Sequence, residues 1–198
     1  MVGARAPLAR WRVATFFVAL GFGFIFIEIS FIQRFTLFLG HPLAAIAVVL
    51  AAFLVFAGLG SGASATLSDR WRAPLAFAAI GIILLAGAYL IALPFAFSKL
   101  IGLPLVAKAV LATVLIAPLA FLMGLPFPLG LSRVSAEAPG LVPWAWAING
   151  CASVVGAVLA GLLAMHFGFA AVVCSAMVLY ALAAAVFRPQ ARATSPYC

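Results

Sequence analysis

Six apolar stretches, each close to the length that a lipid bilayer requires, dominate this 198-residue chain. A transmembrane α-helix needs about 20 mostly apolar residues, and an irregular backbone exposed to hydrocarbon would lack hydrogen-bond partners. The stretches therefore predict an all-α, polytopic membrane protein whose six transmembrane helices have the approximate bounds 13–37, 43–66, 74–97, 104–127, 143–165 and 168–187.

Composition supports this fold class and excludes a soluble domain. Hydrophobic residues make up 68% of the chain and charged residues 7%, whereas soluble domains carry about 25% charged residues. The six stretches use most of the length, so no soluble enzyme domain fits beside them. We expect one transmembrane domain over residues 1–198, with short cytoplasmic tails at 1–12 and 188–198.

Basic residues and tryptophans predict the orientation of the chain in the membrane. In a six-span chain, eight of the eleven Lys and Arg residues would share one side: Arg5, Arg10, Arg12, Arg70, Arg72, Arg133, Arg188 and Arg192. The positive-inside rule makes that side cytoplasmic, with both termini inside. The four tryptophans, which are typical of the membrane interface, fall at the same side: Trp11, Trp71, Trp144 and Trp146. The basic residues fall singly or in pairs between the apolar stretches and form no continuous basic stripe. The net charge of +8 therefore does not indicate a nucleic-acid partner.

Glu28 is one of three acidic residues and lies inside the apolar run GFGFIFIEISFIQRF. A charged side chain at the bilayer centre costs about 2.5–3.5 kcal/mol, so Glu28 requires a partner, a proton or a function. Lys108 would lie in the same outer half of the bilayer and could pair with it; alternatively, Lys108 extends to the interface and Glu28 is protonated. Gln33 and Arg34 lie one to two turns beyond Glu28. A structural ion pair and a proton- or cation-binding site both remain open.

Prolines interrupt two of the predicted helices. Pro94 is predicted to end the third span and Pro118 to lie near the middle of the fourth, which ends in GLPFPLG. Each proline frees a backbone carbonyl that lipid cannot satisfy, and Asn149 of the fifth span is a candidate donor. The prolines either kink their helices or form a hinge or cavity.

Small residues four positions apart predict close helix contacts. Gly58 and Gly62 have this spacing in the second span, and Ala152 and Gly156 have it in the fifth. Such pairs allow two helices in a membrane to approach to van der Waals contact. The contacts lie either within one chain or between chains.

Catalytic and metal-binding motifs are absent from the sequence. It contains no GxSxG, no HExxH, no phosphate loop and no paired carboxylates, and its three cysteines form no CxxC. His41 and His166 fall at predicted outer turns, where a histidine is either a turn residue or a haem or pigment ligand. We expect free thiols, no catalysis, no metal and no cofactor.

Two resemblances bear on function. The cytoplasmic turn SGASATLSDRWRAP, which contains Asp69 and Arg70, resembles the Asp-Arg loop motif of the major facilitator superfamily, with Trp71 in place of a glycine. Nearly the whole chain, through GFGFIFIEISFIQRFTLFLGHP, GLGSGASATLSDR, APLAFLMGLPFPLGL and PWAWAINGCASVVGAVLA, resembles the membrane region of bacterial fused major-facilitator/spermidine synthase-like proteins. The aminopropyltransferase domain of those proteins has no counterpart here. The resemblance implies a module of the bacterial inner membrane.

These observations lead to two functional hypotheses. The first is a non-catalytic accessory subunit or anchor that packs against another membrane protein or a second copy of itself. The second is half of a major-facilitator-type transporter that carries a cation or polyamine and uses Glu28. The lipid bilayer is a partner in both, and a cationic small molecule only in the second.

Overall fold

The computed structural model describes residues 9–71 and 73–187, and these residues form α-helices, one 3-10 turn and no strand. The helices are α1 (Arg10–Leu39), α2 (Pro42–Arg70), α3 (Pro74–Leu100), α4 (Leu105–Gly124), α5 (Pro126–Glu137) and α6 (Val142–Val186), with the 3-10 turn at Pro139–Leu141. The all-α class predicted from the sequence is therefore confirmed for the described residues.

Several helix ends differ from the sequence prediction. Pro94 lies inside α3, which continues to Leu100 instead of ending near the proline. Residues 126–137 form a helix immediately after α4, which extends beyond residue 127, the predicted end of the fourth span. The predicted tail 1–12 is helical from Arg10 onward, and the predicted tail 188–198 lies outside the described residues.

Five helical segments are long and apolar enough to cross a membrane, rather than the six predicted. The difference arises in α6, whose 45 residues include both of the last two predicted spans. A straight helix of that length would extend about 67 Å, about twice the hydrocarbon thickness of a bilayer. Gly168 interrupts it with φ 79° and ψ 169°, a backbone conformation that is essentially restricted to glycine.

Contacts with α1 show that the two halves of α6 run in opposite directions. In the first half, Asn149 bonds to Phe17 and Gly156 packs on Ile25, so residue numbers rise together. In the second half, Phe169, Tyr180 and Val186 contact Arg34, Gly23 and Arg12 in turn, so the numbers fall. The chain therefore reverses at Gly168.

The helix ends form two groups. At one end, Arg12 joins the start of α1 to the end of α6, and Arg133 joins α5 to the residue after α6. The start of α6 and the end of α2 lie at the same end, because Trp144 and Ser68 line grooves there. At the other end lie the end of α1, the end of α3, the start of α4 and the Gly168 reversal, joined by the rings of Phe38, Phe97 and Phe169. We call these the arginine end and the Gly168 end. The described tryptophans, Trp11, Trp71, Trp144 and Trp146, all lie at the arginine end.

Helix α1 is the centre of the bundle. In its most apolar 18-residue window 61% of residues are buried, compared with 22–28% in the other four segments. Phenylalanines fill the space around it: Phe31 packs edge-on against Phe53 of α2, and Phe35 and Phe38 pack on Phe97 of α3. Glu28 therefore lies on the helix that is least exposed to lipid.

Candidate intramembrane polar site

Glu28 is enclosed within the bundle. Its side chain is buried, at 7% exposure, and no hydrogen bond or ion pair joins it to any other residue that the structure describes. It follows Gly21 by seven residues and Ile25 by three, so the three share one face of α1. That face contacts Ala152 and Gly156 of α6, and the buried Ala160 continues the row. We call this contact the α1–α6 seam. Glu28 continues the same face of α1 toward the Gly168 end.

The predicted partners of Glu28 have other neighbours. The Lys108 ammonium lies 5.5 Å from the ring centre of Phe38, and the Arg34 guanidinium lies 5.4 Å from that of Phe169. Both are cation–π contacts at the Gly168 end. The α1 residues in them, Phe38 and Arg34, follow Glu28 by ten and six positions. The structure therefore does not form the Glu28–Lys108 ion pair. Gln33 is half-buried, and no hydrogen bond of its side chain to a described residue is seen.

Asn149 belongs to the same seam but does not reach Glu28. Its amide Nδ2 donates to the carbonyl oxygen of Phe17 at 3.1 Å, and the hydroxyl of Ser153 donates to the carbonyl of Asn149 at 3.0 Å and lies 3.4 Å from that of Gly21. These bonds join α1 to the first half of α6. Asn149 is therefore a polar link between two helices and not a donor to a carbonyl freed by proline.

Tyr89 bonds beside the carbonyl that Pro118 leaves without its helix donor, but not to that carbonyl. Pro118 lies inside α4 and has no N–H to donate to the carbonyl of Val114. The hydroxyl of Tyr89 on α3 donates to the next carbonyl, that of Leu115, at 2.5 Å. The sequence carried a signal for this contact, since a tyrosine within an apolar span requires an acceptor for its hydroxyl.

A small void lies between α1, α3 and the second half of α6. It measures about 20 Å³ and is lined by residues that include Ser30, Arg34, Tyr89 and Phe169. The Ser30 hydroxyl is the one fully buried side-chain polar atom without a hydrogen-bond partner among the described residues. A void of this size holds about one water molecule, which would satisfy such a group.

The predicted helix-packing residues divide into two pairs. Ala152 and Gly156 lie in the α1–α6 seam, where a Cβ at Gly156 would lie 2.5 Å from Ile25 Cγ2. Gly58 and Gly62 are exposed on α2, and a Cβ at either would meet no atom within 4 Å. The first pair is thus an internal contact, whereas the second packs on no other helix among the described residues.

Two glycines missed by the sequence reading form the internal contact of α2. Gly60 packs on the backbone of Phe121, and Gly124 packs on the backbone of Ala57, so α2 and α4 touch main chain to main chain. The signal was present, because Gly60 and the buried Ser64 are four residues apart, as are Ala120 and Gly124. The run GLGSGAS contains both spacings, and the sequence alone does not identify which one faces inward.

Two arginines bind the last carbonyls of α6. Arg12 donates from Nε at 2.9 Å and from Nη2 at 2.5 Å to the carbonyl oxygen of Val186. Arg133 donates to the carbonyl of Phe187 at 2.8 Å and forms an ion pair with Glu137 at 3.1 Å. Cations at a helix C-terminus satisfy its free carbonyls and favour the macrodipole. The sequence reading assigned these arginines only to membrane orientation.

Asp69 and Arg70 lie in the last turn of α2 rather than in a loop, and both are exposed. Arg72, which was part of the same predicted motif, lies outside the described residues, as do Arg5, Arg188, Arg192 and Cys198. The exposed charges of Asp69 and Arg70 are available to a partner.

The histidines are separate exposed residues at the Gly168 end. With its proton on Nδ1, His166 donates to the carbonyl oxygen of Leu162 at 2.9 Å. His41 Nδ1 lies 3.3 Å from the carbonyl oxygen of Leu39. Among the described residues no three His, Cys, Asp or Glu side chains come together as a metal site would require. Cys151 and Cys174 are exposed free thiols.

Comparison of the chain with family models, curated proteins and solved structures finds no match in any of the three.

Proposed function

We propose that this chain is a non-catalytic integral membrane module that associates with another membrane protein, or with a second copy of itself, through one face of α2. The face includes the small exposed residues Ala51, Gly58, Gly62 and Ala65 at helical spacing, beside the larger exposed Leu54 and Val55, and we call it the α2 outer face. The observation that carries the proposal is the open space at Gly58 and Gly62.

The physical argument is the role of small residues in lipid. Hydrocarbon tails are as apolar as leucine side chains, so membrane helices associate through close packing and not through a hydrophobic driving force. The chain uses this packing internally at Gly21, Gly60, Gly124 and Gly156. The α2 outer face has glycines of the same kind, and at Gly58 and Gly62 no described part of the chain covers them, which suits an approaching helix.

We further propose six membrane crossings with both termini in the cytoplasm. The reversal at Gly168 supports counting α6 as two crossings, and the arginine end would then be the cytoplasmic end. The resemblance to bacterial fused major-facilitator/spermidine synthase-like proteins supports an inner-membrane location, and it favours a partner that carries the soluble activity of those proteins.

Purification in a mild detergent tests the association. The wild-type protein should elute with a protein mass above the 20.5 kDa of one chain. Gly62→Leu should reduce it to that of one chain, because a large side chain would keep the partner helix away. Gly150→Leu is the matched control, since Gly150 of α6 is also exposed and open. A homogeneous wild-type monomer with no bound protein would overturn the proposal.

A second candidate function, a half-transporter for a cation or polyamine, rests on Glu28. A buried carboxyl with no described partner is what a cation- or proton-binding site provides. Its place inside one bundle, rather than on a face that a second half could cover, favours the accessory function. Spermidine uptake into proteoliposomes tests the alternative: a carrier should lose uptake with Glu28→Gln and keep its fold, and unchanged uptake would exclude that role.

A further inference from the structure

A groove of about 900 Å³ opens at the arginine end between the start of α1 and the start of α6. Its walls include Val13 and Ala14 of α1, Leu141 of the 3-10 turn, and Ile148 of α6. Its size is in the range of ligand pockets, and its walls are those of an apolar ligand site.

The tryptophans at the rim of the groove indicate that it lies at the membrane interface. Trp11 and Trp144 both line it and are 63% and 64% exposed. Exposed tryptophans are typical of the headgroup level, where an apolar ring meets lipid chains and its N–H meets water. The groove therefore extends from the headgroup level toward the hydrocarbon.

The charge at the rim is positive. Arg10 lines the groove and is exposed, and no hydrogen bond or ion pair joins it to any other residue within 9–71 and 73–187. The guanidinium of Arg12, two residues later, already donates to the carbonyl of Val186 and is therefore less available to an anion in the groove. Among the described residues, no acidic side chain lines the groove.

We propose that the groove binds an anionic phospholipid, with an acyl chain between α1 and α6 and the phosphate at Arg10. An apolar wall beside the exposed Arg10 matches the two parts of such a molecule, and basic pockets between membrane helices on the cytoplasmic side are suited to anionic headgroups. The proposal rests on the orientation given above, with the arginine end at the cytoplasmic leaflet. It does not rest on association through the α2 outer face.

Quenching of tryptophan fluorescence by lipids with brominated acyl chains tests the site. The protein is the full chain carrying Trp71→Phe and Trp146→Phe, so that only Trp11 and Trp144 report. It is placed in phosphatidylcholine vesicles that contain increasing fractions of brominated phosphatidylglycerol or of brominated phosphatidylcholine. The anionic lipid should reach half-maximal quenching at about a fivefold lower fraction, the preference expected of one arginine at an anionic surface.

Substitutions separate the groove from general surface charge. Arg10→Gln should remove the preference for phosphatidylglycerol, whereas Arg70→Gln, at the same end but outside the groove, should leave it unchanged. Ala14→Phe should fill part of the groove and weaken quenching by both lipids. Inorganic phosphate should not compete, because it lacks the acyl chain.

Three results would overturn the proposal. The first is equal quenching by both lipids in the parent protein. The second is equal loss of preference with Arg10→Gln and Arg70→Gln, which would indicate surface attraction alone. The third is strong quenching only after deletion of residues 2–8, which would identify the chain's own N-terminal segment as the occupant. Each is independent of the oligomeric state and therefore of the association proposed above.

Discussion

Gly60 of α2 lies directly against the main-chain carbonyl of Phe121 in α4, so a methyl group at position 60 would overlap that oxygen. Gly62, on the opposite side of the same helix, meets nothing within 4 Å. Helix α2 thus has one glycine face that is used within the chain and a second that is open to the membrane.

Gly60→Ala should therefore destabilise the protein while Gly62→Ala should not. The added methyl group at position 60 meets backbone, which cannot move aside as a flexible side chain could, and overpacking of this kind costs about 1–3 kcal/mol. Unfolding by sodium dodecyl sulfate in mixed micelles measures both free energies. Equal stabilities for the two variants would contradict the assignment of the inner face.

Arg12→Gln should loosen the C-terminal turn of α6. The substitution removes the guanidinium that donates to the Val186 carbonyl, a contact worth about 0.5–2 kcal/mol. Hydrogen–deuterium exchange should become faster for the amides of the last turn of α6. Arg10→Gln is the control, since Arg10 makes no hydrogen bond to a described residue; equal exchange in the two variants would argue against the cap.

Tyr89→Phe should cost about 1 kcal/mol of stability, because the Leu115 carbonyl loses its interhelical donor. If the hydroxyl supports the helix next to the carbonyl that Pro118 leaves without a donor, the cost should fall in a Pro118→Ala background, where the N–H of residue 118 again binds the Val114 carbonyl. A double-mutant cycle on unfolding free energies measures this coupling. Additive losses would show that Tyr89 acts independently of the proline.

Glu28→Gln and Lys108→Gln should have additive effects on stability, within about 0.5 kcal/mol, because the two side chains do not form an ion pair. Glu28→Gln alone should not destabilise the protein, since it removes an ionisable group that has no described partner. A second double-mutant cycle is the measurement. A coupling energy above that limit would restore the pair predicted from the sequence.

The sequence predicted the positions of the helices well because length and hydropathy alone determine which segments suit a bilayer. It was less accurate where tertiary contacts decide. Pro94 does not end α3; the helix continues past it to Leu100. The break predicted at His166-Phe167-Gly168 does lie where the chain reverses, but the reversal takes place at one glycine without a loop.

The candidate site was predicted in part. Burial of Glu28 followed from its place in an apolar run, but its partner depended on helix rotation, which the weak amphipathicity of these helices does not reveal. Lys108 and Arg34 therefore turned out to face aromatic rings. The packing pairs show the same limit, since Ala152 and Gly156 face inward whereas Gly58 and Gly62 do not.

The most direct test of the central claim is cross-linking from the α2 outer face in native membranes. Cys151, Cys174 and Cys198 are first replaced by serine, and single cysteines are then placed at Gly58 or, as a control, at Gly150. A thiol-directed cross-linker should join the Gly58→Cys protein to a second polypeptide, and the Gly150→Cys protein should remain at the mass of one chain. Uncross-linked chains at both positions would contradict the proposal that α2 is a docking helix.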